Sequence, residues 1–406
     1  MDRSKKVPSH GLNRRKFLEI LSLVSAAGFL PFKRTWAKTA SQNSGPRARV
    51  ALAGIVKGAN DDVVADAVRY AAKAATDFSW LSKGDTVLIK IALNSGNPYP
   101  ATTDPVGIKT IVKLLKKKGA GRVVVSDMAG VEHVKLYPDR ITGSTRELMN
   151  KSGITTAALA AGAELYFPEE DGWEAFFEDR PVSGSNWLAG IMVPKILNEV
   201  NHIVLMPRCG RHLLAGSSLG MKTVVGYFRH DSRLEYHRDA STFQEKTAEA
   251  NTVPSIKDKQ RLVLTSATKI LTTLGPDKGY ISEPDLGFII ASESLVAHDM
   301  VSLAWLIENR RLTPEEAKTI QKDPYINPQS VDYINRIVVR WLGGSEAGKK
   351  AEKLTGNNLD TIWNDRVLNR AYELFGGIPK VDLIKANDTV TEDILKKMGE
   401  MTSKSI

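Results

Sequence analysis

Short apolar runs alternate with segments of helical periodicity along this sequence, and no other feature restricts its fold as strongly. In the clearest cycle, a continuous apolar run at 86–93 is followed by a helical pattern at 104–121 and by a second apolar run at 122–127. Strands without a polar face are typical of parallel sheets that are covered by helices on both sides. The connections in such sheets are right-handed. The pattern therefore predicts an α/β protein.

The alternation continues along the chain and predicts how it is organised. Further strands are predicted at 49–56, 163–168, 201–207, 285–292 and 381–385, and further helices at 61–75, 153–163, 256–273 and 295–310. A body of this length exceeds one ordinary core, so we expect two Rossmann-like parallel-sheet domains, 49–190 and 191–310, that face a cleft. Residues 311–406 are predicted to form a mainly helical C-terminal region that packs on these domains.

The N-terminus has the layout of an export signal. Six basic side chains precede the apolar run ILSLVSAAGFL, which is too short to span a bilayer because a spanning helix needs about 20 residues. The stretch NRRKFLEI (13–20) resembles a twin-arginine export signal. We therefore expect a signal peptide at 1–40, a linker at 41–48 and export by the twin-arginine machinery to the periplasm. Cleavage after Ala37 and cleavage after Ala40 both remain open.

Charge and cysteine content exclude several classes of partner and cofactor. The net charge is +10, but residues 1–37 hold eight basic and two acidic side chains, so the rest of the chain is near +4 and gives no support for nucleic-acid binding. No apolar run of membrane-spanning length follows residue 40. Cys209 is the only cysteine, which excludes a cysteine-ligated iron–sulfur cluster within this chain, since such a cluster takes about four thiolates.

Polar side chains follow several of the predicted strands, at the edge of the sheet where ligands of parallel α/β proteins bind. These candidates are Lys90, Asn94, Thr102, Thr103, Asp127, Arg208, Arg211 and His212. A lysine inside a buried strand needs a partner or a cleft, although Lys90 could also extend its amine to solvent from the strand end. Thr103 with Asp104 could equally be a helix cap, and Asp127 could be a turn residue.

The stretch RHLLAGSSLGMKTVVGYFRHDSRLEYH (211–237) concentrates basic residues around a run of small ones. Its segment GSSLGMKT fails the P-loop pattern, because only three residues separate the glycines and Met221 precedes the lysine. The small-residue turn with Ser217 and Ser218 can still present backbone N–H groups to an anion. Lys222 and Arg229 would add positive charge, and an arginine can bind two oxygens of a carboxylate or phosphate at once.

The histidines of this stretch support a second hypothesis, a divalent metal bound by His212, His230 and His237. His230 and His237 are seven residues apart, so on a helix they share a face without reaching the same ion. Non-helical chain after Asp231 could bring them together with His212. Otherwise the three are surface or core histidines.

Several motifs resemble the family called domain of unknown function 362. They are VLIKIALN, PATTDPVGIKTIVKLLKKKGAG and RVVVSDMAG in residues 87–130, MPRCGRH and SSLGMKTVVG in 206–226 followed by Arg229 and His237, and SESLVAHD at 292–299. Ile91, Arg208, Arg211 and Thr223 depart from that pattern, and the cysteine-rich segment of many members is missing. The order of strand, T-x-P, helix, strand and aspartate is also similar to the first domain of nickel-dependent lactate racemases, which implies two α/β domains around a cleft.

Together these observations predict an exported protein that acts on a small anionic metabolite, a carboxylate or a phosphate, in a cleft. We assign His212 as the acid/base, because an unperturbed histidine titrates near neutrality, with Lys90 and Asp127 on the opposite wall. The predicted substrate-binding residues are Asn94, Thr102, Thr103, Arg208, Arg211, Ser217, Ser218, Lys222 and Arg229. By analogy the reaction would be that of an isomerase or lyase. The alternative is a metal- or cofactor-binding or maturation protein without catalysis, with a redox or maturation partner.

Overall fold

The computed structural model describes residues 45–403 with the exception of residues 320, 324, 325 and 358. The predicted signal peptide and most of the linker lie outside the described residues, and export stays a prediction. Residues 44–406 fall into one compact unit, so the predicted boundaries after residues 190 and 310 both lie inside it. In the part of the chain that is described, no helix is long and apolar enough to cross a bilayer.

The strands are numbered in chain order. They are β1 Arg47–Val56, β2 Thr86–Ile91, β3 Arg122–Ser126, β4 Lys135–Tyr137, β5 Arg140–Thr142, β6 Glu164–Tyr166, β7 Phe176–Asp179, β8 Ile191–Pro194, β9 His202–Met206, β10 Arg208–His212, β11 Gly216–Ser218, β12 Gln260–Leu271, β13 Ile281–Ser282, β14 Leu286–Ser292 and β15 Lys380–Lys385.

The helices are numbered in the same way. They are α1 Asp61–Ala75, α2 Pro105–Lys118, α3 Thr145–Lys151, α4 Ile154–Ala160, α5 Ile196–Glu199, α6 His230–Arg238, α7 Phe243–Ala250, α8 Pro254–Lys257, α9 Leu295–Arg311, α10 Pro328–Lys350, α11 Arg366–Leu374 and α12 Glu392–Thr402. Short 3₁₀ helices cover Pro168–Asp171, Trp173–Ala175, Met221–Tyr227, Ala240–Thr242, Glu315–Ala317 and Ile362–Asn364.

The α/β prediction is confirmed by a mixed sheet of eleven strands. Its main path runs β15-β1-β14-β12-β9-β2-β3-β6, with β10, β11 and β13 attached beside β12. The four strands β9, β2, β3 and β6 are all parallel, whereas β14 is antiparallel to both of its neighbours. Strands expected in two separate sheets are therefore hydrogen-bonded into one, and the cleft lies at an edge of that sheet.

Alternation along β1 shows how the sheet is covered on both faces. Val50 and Leu52 belong to one apolar cluster, and Ala51, Ala53 and Ile55 belong to another on the opposite face, as expected because successive side chains of a strand point to opposite sides. The second cluster includes the buried faces of α1 and α2, and the first includes α7, α9 and residues of α10 and α11. The protein is thus layered as helices, sheet and helices.

The helix predicted at 256–273 is wrong, because most of this segment is β12. It is rich in β-branched residues, among them Val263, Thr265 and Ile270, which favour a pleated strand. β12 is hydrogen-bonded to β9 on one side and to β14 on the other. Burial on both faces removed the polar alternation that would have identified a strand, and apolar spacing alone does not distinguish this case from a buried helix.

Candidate functional site

A cavity of about 230 Å³ lies beyond the carboxyl ends of β2, β3 and β9. Five chain segments line it: the turn after β2, the turn after β3, the stretch from β10 to α6, the turn at Pro276, and α10. Its polar and charged lining residues are Asn94, Asp127, Glu132, Arg208, His212, Ser218, Lys222, Thr223, Arg233 and His237. Seven of the residues predicted for the site therefore line one cavity, namely Asn94, Asp127, Arg208, His212, Ser218, Lys222 and His237, the last predicted as a metal ligand.

Lys90 and Asp127 form a buried ion pair directly behind this lining. Their strands are neighbours, and the register pairs Lys90 with Ser126, one residue before the aspartate. Lys90 Nζ donates to Asp127 Oδ1 at 2.8 Å and to the carbonyls of Ile91 and Thr223 at 2.9 and 3.0 Å, which uses all three of its hydrogens. The carboxylate also accepts from the N–H groups of Leu93 and Met128. The pair fixes the floor of the cavity, and Lys90 has no hydrogen left to donate to a ligand.

Gly226 lies against this pair and leaves no room for a side chain. A Cβ there would lie 1.9 Å from Asp127 Oδ1 and 2.4 Å from Lys90 Nζ. We expect Gly226→Ala to destabilise the protein by about 1–3 kcal/mol, the usual cost of overpacking, measured by urea unfolding. The matched control is Gly399→Ala, inside α12 with no atom within 4 Å of the added Cβ, which should be neutral or stabilising by up to about 1 kcal/mol. Equal stabilities of the two variants would show that the pair moves freely.

Lys222 presents an amine to the cavity without an acidic partner. It lies in the 3₁₀ helix Met221–Tyr227, and its Nζ is 5.9 Å from the ring centroid of Tyr236. Within the described residues it makes no hydrogen bond or ion pair. Burial, together with the charges of Arg233 and Arg208, lowers the pKa of Lys222 to about 7. The amine therefore exchanges its proton near neutral pH.

Two buried arginines add positive charge beside this amine. Arg208 donates from Nη1 to the carbonyl of Pro276 at 2.7 Å, while its buried Nη2 has no hydrogen-bond partner among the described residues. Arg233 donates to the carbonyls of Phe228, Ala129 and Met128. These contacts satisfy its N–H groups without neutralising its charge. Burial lowers the pKa of each guanidinium to about 10, so both stay charged at neutral pH.

His212 is held as a hydrogen-bond donor. Its Nδ1 accepts from the backbone N–H groups of Leu214 and Ala215, at 3.2 and 3.3 Å, so in the neutral ring the proton lies on Nε2. Burial and the charge of Lys222 lower the pKa of His212 well below its usual range. The reason for assigning it as the acid/base, a titration near neutrality, therefore does not apply, because this ring stays neutral and donates from Nε2.

His237 presents a hydrogen-bond acceptor instead of a donor. Its backbone carbonyl accepts from Asn335 Nδ2 at 2.9 Å, which fixes the orientation of that amide, so ring Nδ1 donates to Asn335 Oδ1 at 3.0 Å. Its Nε2 is then an unprotonated acceptor. Burial lowers the pKa of His237 to about 3, and the ring stays neutral. The cavity thus combines an imidazole that donates with one that accepts.

Five predicted binding residues lie outside the cavity lining and have structural partners. Thr102 Oγ1 donates to Asn97, and Thr103 Oγ1 donates to Met206. Arg211 Nη1 donates to the carbonyl of Gly216 at 2.8 Å. Ser217 faces a separate, very small pocket. The helix cap considered beside Thr103 is present, since Asp104 accepts from the N–H of Val106 at the start of α2.

Arg229, the fifth, is neutralised by its own neighbour. Its Nε and Nη2 bind both carboxylate oxygens of Asp231, at 3.0 and 2.8 Å, and its guanidinium lies 3.9 Å from the ring centroid of Trp173. Cys209 is also unavailable, because burial raises the pKa of its thiol to about 12. Neither side chain can serve the cavity without rearrangement.

The metal site predicted at His212, His230 and His237 is not assembled. His230 does not line the cavity, and its Nε2 pairs with the carbonyl of Leu342 at 3.0 Å. In the part of the chain that is described, the group with ligand atoms close enough for one ion is Glu132, His133 and Asp277, all within 4.8 Å of one another. It lies at the cavity rim, where Asn94 Nδ2 donates to Asp277 Oδ2 at 2.6 Å. These three residues, and not the three predicted histidines, have the spacing for one metal ion.

Two parts of the site were absent from the sequence assignment. Arg233 was not distinguished as a cavity residue from the other basic residues of its stretch. No local sequence signal distinguishes it, because only the fold brings it to the carbonyls after β3. The wall formed by α10 was also missed. Ile334, Val338 and Trp341 line the cavity at the i, i+4, i+7 spacing of one helical face. That spacing was visible, but nothing in it identified what the face would cover.

Comparisons with known proteins identify one family and two solved structures that resemble part of the chain. A family model described as Domain of unknown function (DUF362) matches residues 87–304, which confirms the predicted resemblance. No curated protein matches the chain. The lactate racemase apoprotein from Thermoanaerobacterium thermosaccharolyticum is similar with 14% identity and a TM-score of 0.37, over 62% of this chain and 54% of that one. A crystal structure of a Thermotoga maritima protein is similar with 13% identity and a TM-score of 0.34, over 64% and 60%. The chain thus spans less than two thirds of either protein.

Proposed function

This chain belongs to the domain of unknown function 362 family, a membership that brings no activity with it, and from the site itself we propose an enzyme that binds a small carboxylate or phosphate in the cavity. The proposed location is the periplasm, as the twin-arginine motif predicts. The substrate-binding groups are Lys222 and Arg208, and the reaction is a proton transfer of the isomerase or lyase type.

The observation that carries the proposal is a group of three cationic side chains that form no ion pair among the described residues. Lys222, Arg208 and Arg233 line the cavity, whereas of its two acids Asp127 is paired with Lys90 and Glu132 is exposed. Burying charge without a partner is unfavourable, and the unpaired Nη2 of Arg208 adds an unused donor. A bound anion would supply both the missing charge and the missing acceptor.

The same residues can divide a proton transfer between them. Arg208 holds the anionic group, and His212 Nε2–H donates to an oxygen of the substrate on which charge develops. A group whose pKa lies near the working pH is suited to both accepting and returning a proton, and Lys222 meets this condition. In its neutral form the amine would take the proton from the carbon beside the carboxylate, and the ammonium so formed would return it. Lys90 and Asp127 are positioning residues, since they fix the turns that carry the lining.

The alternative function, a metal- or cofactor-binding protein without catalysis, has less support. Its predicted ligands His212, His230 and His237 do not converge. The Glu132, His133 and Asp277 group offers three ligand atoms, but Asp277 already accepts from Asn94. The enzyme proposal uses the groups that lack partners, and we favour it for that reason.

The pH dependence of anion binding tests the proposal. Butanoate stays ionised from pH 6 to pH 8, whereas Lys222, with its pKa of about 7, is mostly charged at the lower pH and mostly neutral at the higher. The fraction of binding-competent protein therefore falls as pH rises, and we expect butanoate to bind about ten-fold more weakly at pH 8 than at pH 6, measured by isothermal titration calorimetry.

Inorganic phosphate and neutral butanamide complete that experiment. Phosphate in place of butanoate tests the second class of anion, and butanamide should not bind. Saturable binding of butanoate with a constant affinity between pH 6 and pH 8 would remove Lys222 from the binding site. No saturable binding of either anion at any pH would overturn the proposed function.

A further inference from the structure

The cavity lined by Lys222, Arg208 and Arg233 is also lined by apolar side chains. Some come from the turns of the sheet and from the 3₁₀ helix: Leu93, Met128, Val131, Leu213, Leu214 and Val225. The others are Ile334, Val338 and Trp341 on the inward face of α10. Val338 is 8% exposed and Trp341 is 42% exposed. The apolar face of the helix therefore reaches from the interior to the mouth of the cavity.

Other residues of α10 do not contribute a free polar group to the cavity. Asn335 faces inward as well, but its amide is bound on both sides by His237. Tyr333 is 62% exposed and does not line the cavity. The only polar contributions of the described lining outside the charged and imidazole groups are Asn94, Ser218 and Thr223. A ligand bearing several hydroxyl groups would find few partners here and would leave polar groups unsatisfied.

We infer that the natural ligand is a carboxylate with an apolar body, its anionic end at Lys222 and Arg208 and its alkyl or aryl end against Ile334, Val338 and Trp341. This inference rests on the proposed function for the charged end and adds the class of substrate. A cavity of about 230 Å³ has the volume of roughly eight water molecules, which suits an apolar body of about four to seven carbons beside the carboxylate. Short hydrophilic acids would leave the α10 face exposed to water.

A homologous series of acids tests this directly with the full-length chain. Acetate, butanoate, hexanoate and 3-phenylpropanoate carry the same charge and differ only in apolar surface. Burial of one methylene strengthens binding about four-fold, so affinity should rise by about that factor for each added methylene until the wall is covered. Calorimetry at pH 6 gives the affinities, and tryptophan fluorescence reports whether the indole at the cavity mouth senses the ligand.

Two variants of one helix provide the matched comparison. Trp341→Ala removes apolar area at the mouth, and it should weaken hexanoate and 3-phenylpropanoate about ten-fold while leaving acetate unchanged. Tyr333→Ala removes an aromatic ring of similar size from the outer face of the same helix, and all four affinities should stay as in the parent. Circular dichroism confirms that both variants fold.

The possible outcomes separate this inference from the function on which it rests. Affinity that does not change from acetate to hexanoate, while acetate binding still depends on pH, would overturn the apolar substrate class and leave anion binding intact. Equal losses for all four acids in Trp341→Ala would also overturn it, since the ring would then act on the charged end. Failure of every acid to bind would overturn both proposals together.

Discussion

Replacing Lys222 by methionine is expected to weaken butanoate binding at pH 6 at least 30-fold. Truncating one partner of a buried charged contact commonly costs about 2–5 kcal/mol, and 2 kcal/mol corresponds to roughly a 30-fold change in affinity. The methylene stem is retained in Met, so the variant removes the amine with little change in packing. Because that amine titrates with a pKa of about 7, the variant should also lose the pH dependence of binding between pH 6 and pH 8.

The control for this variant is Lys109→Met. Lys109 is exposed on α2 and does not line the cavity, so affinity and pH dependence should stay as in the parent. A Lys222→Met protein that binds butanoate normally, or that keeps the parental pH profile, would show that another group supplies the binding charge. Arg208→Met is the informative second variant, because it removes the guanidinium with the unpaired Nη2. Binding should still depend on pH but with the profile moved to higher pH, since the charge of Arg208 helps to lower the pKa of Lys222.

Replacing Lys90 by methionine is expected to lower the free energy of unfolding by about 3–5 kcal/mol at pH 7, measured by urea denaturation. Removing one member of a buried pair leaves an uncompensated charge, and here the side chains of Lys90 and Asp127 are only 1% and 5% exposed. The surface variant Lys109→Met should change stability by no more than about 0.5 kcal/mol. If Lys90→Met lost less than about 1 kcal/mol, the pair would not be holding the cavity floor.

The pH dependence of this destabilisation follows from its cause. Burial raises the pKa of Asp127 against the opposing effect of Lys90, so without the lysine the folded-state pKa lies further above the unfolded value of about 3.9. The folded variant then binds a proton more tightly than the unfolded chain does, and its stability increases as the pH falls through the folded-state pKa. The deficit relative to the parent should therefore shrink at acidic pH. A Lys90→Met, Asp127→Asn double variant should recover part of the deficit at pH 7.

Much of the fold could be predicted because its signals are local. Asp104, Pro105 and Gly119 marked both ends of α2, and the structure places a capping side chain, a first-turn proline and a left-handed glycine at these positions. The joining of the strands into one sheet has no local signal. It depends on β12, which lies between β9 and β14, parallel to β9 and antiparallel to β14. The apolar spacing of β12 also fits a helix.

The site was predictable to the extent that strand ends and charge carry information. Lys90 was recognised as a lysine needing a partner, and Asp127 supplies it at 2.8 Å. Lys222 lacks an acidic partner, whereas Arg229 is paired with Asp231. This difference could not be predicted from the sequence. Both are basic residues in one stretch, and only tertiary contacts decide which charge is left for a ligand. Which ring nitrogen of His212 carries the proton likewise depends on the backbone turn that follows it.

The parallel pairing of β1 with β15 joins residues 47–52 to residues 380–385, and this has a consequence for biosynthesis. Residues 380–385 have to be synthesised before β1 gains this partner, so until then the growing chain carries an open backbone edge that invites intermolecular association. Contacts of such large sequence separation also slow folding. Chains that end before residue 380 should therefore aggregate more readily than the full chain, in which β15 covers the edge of β1.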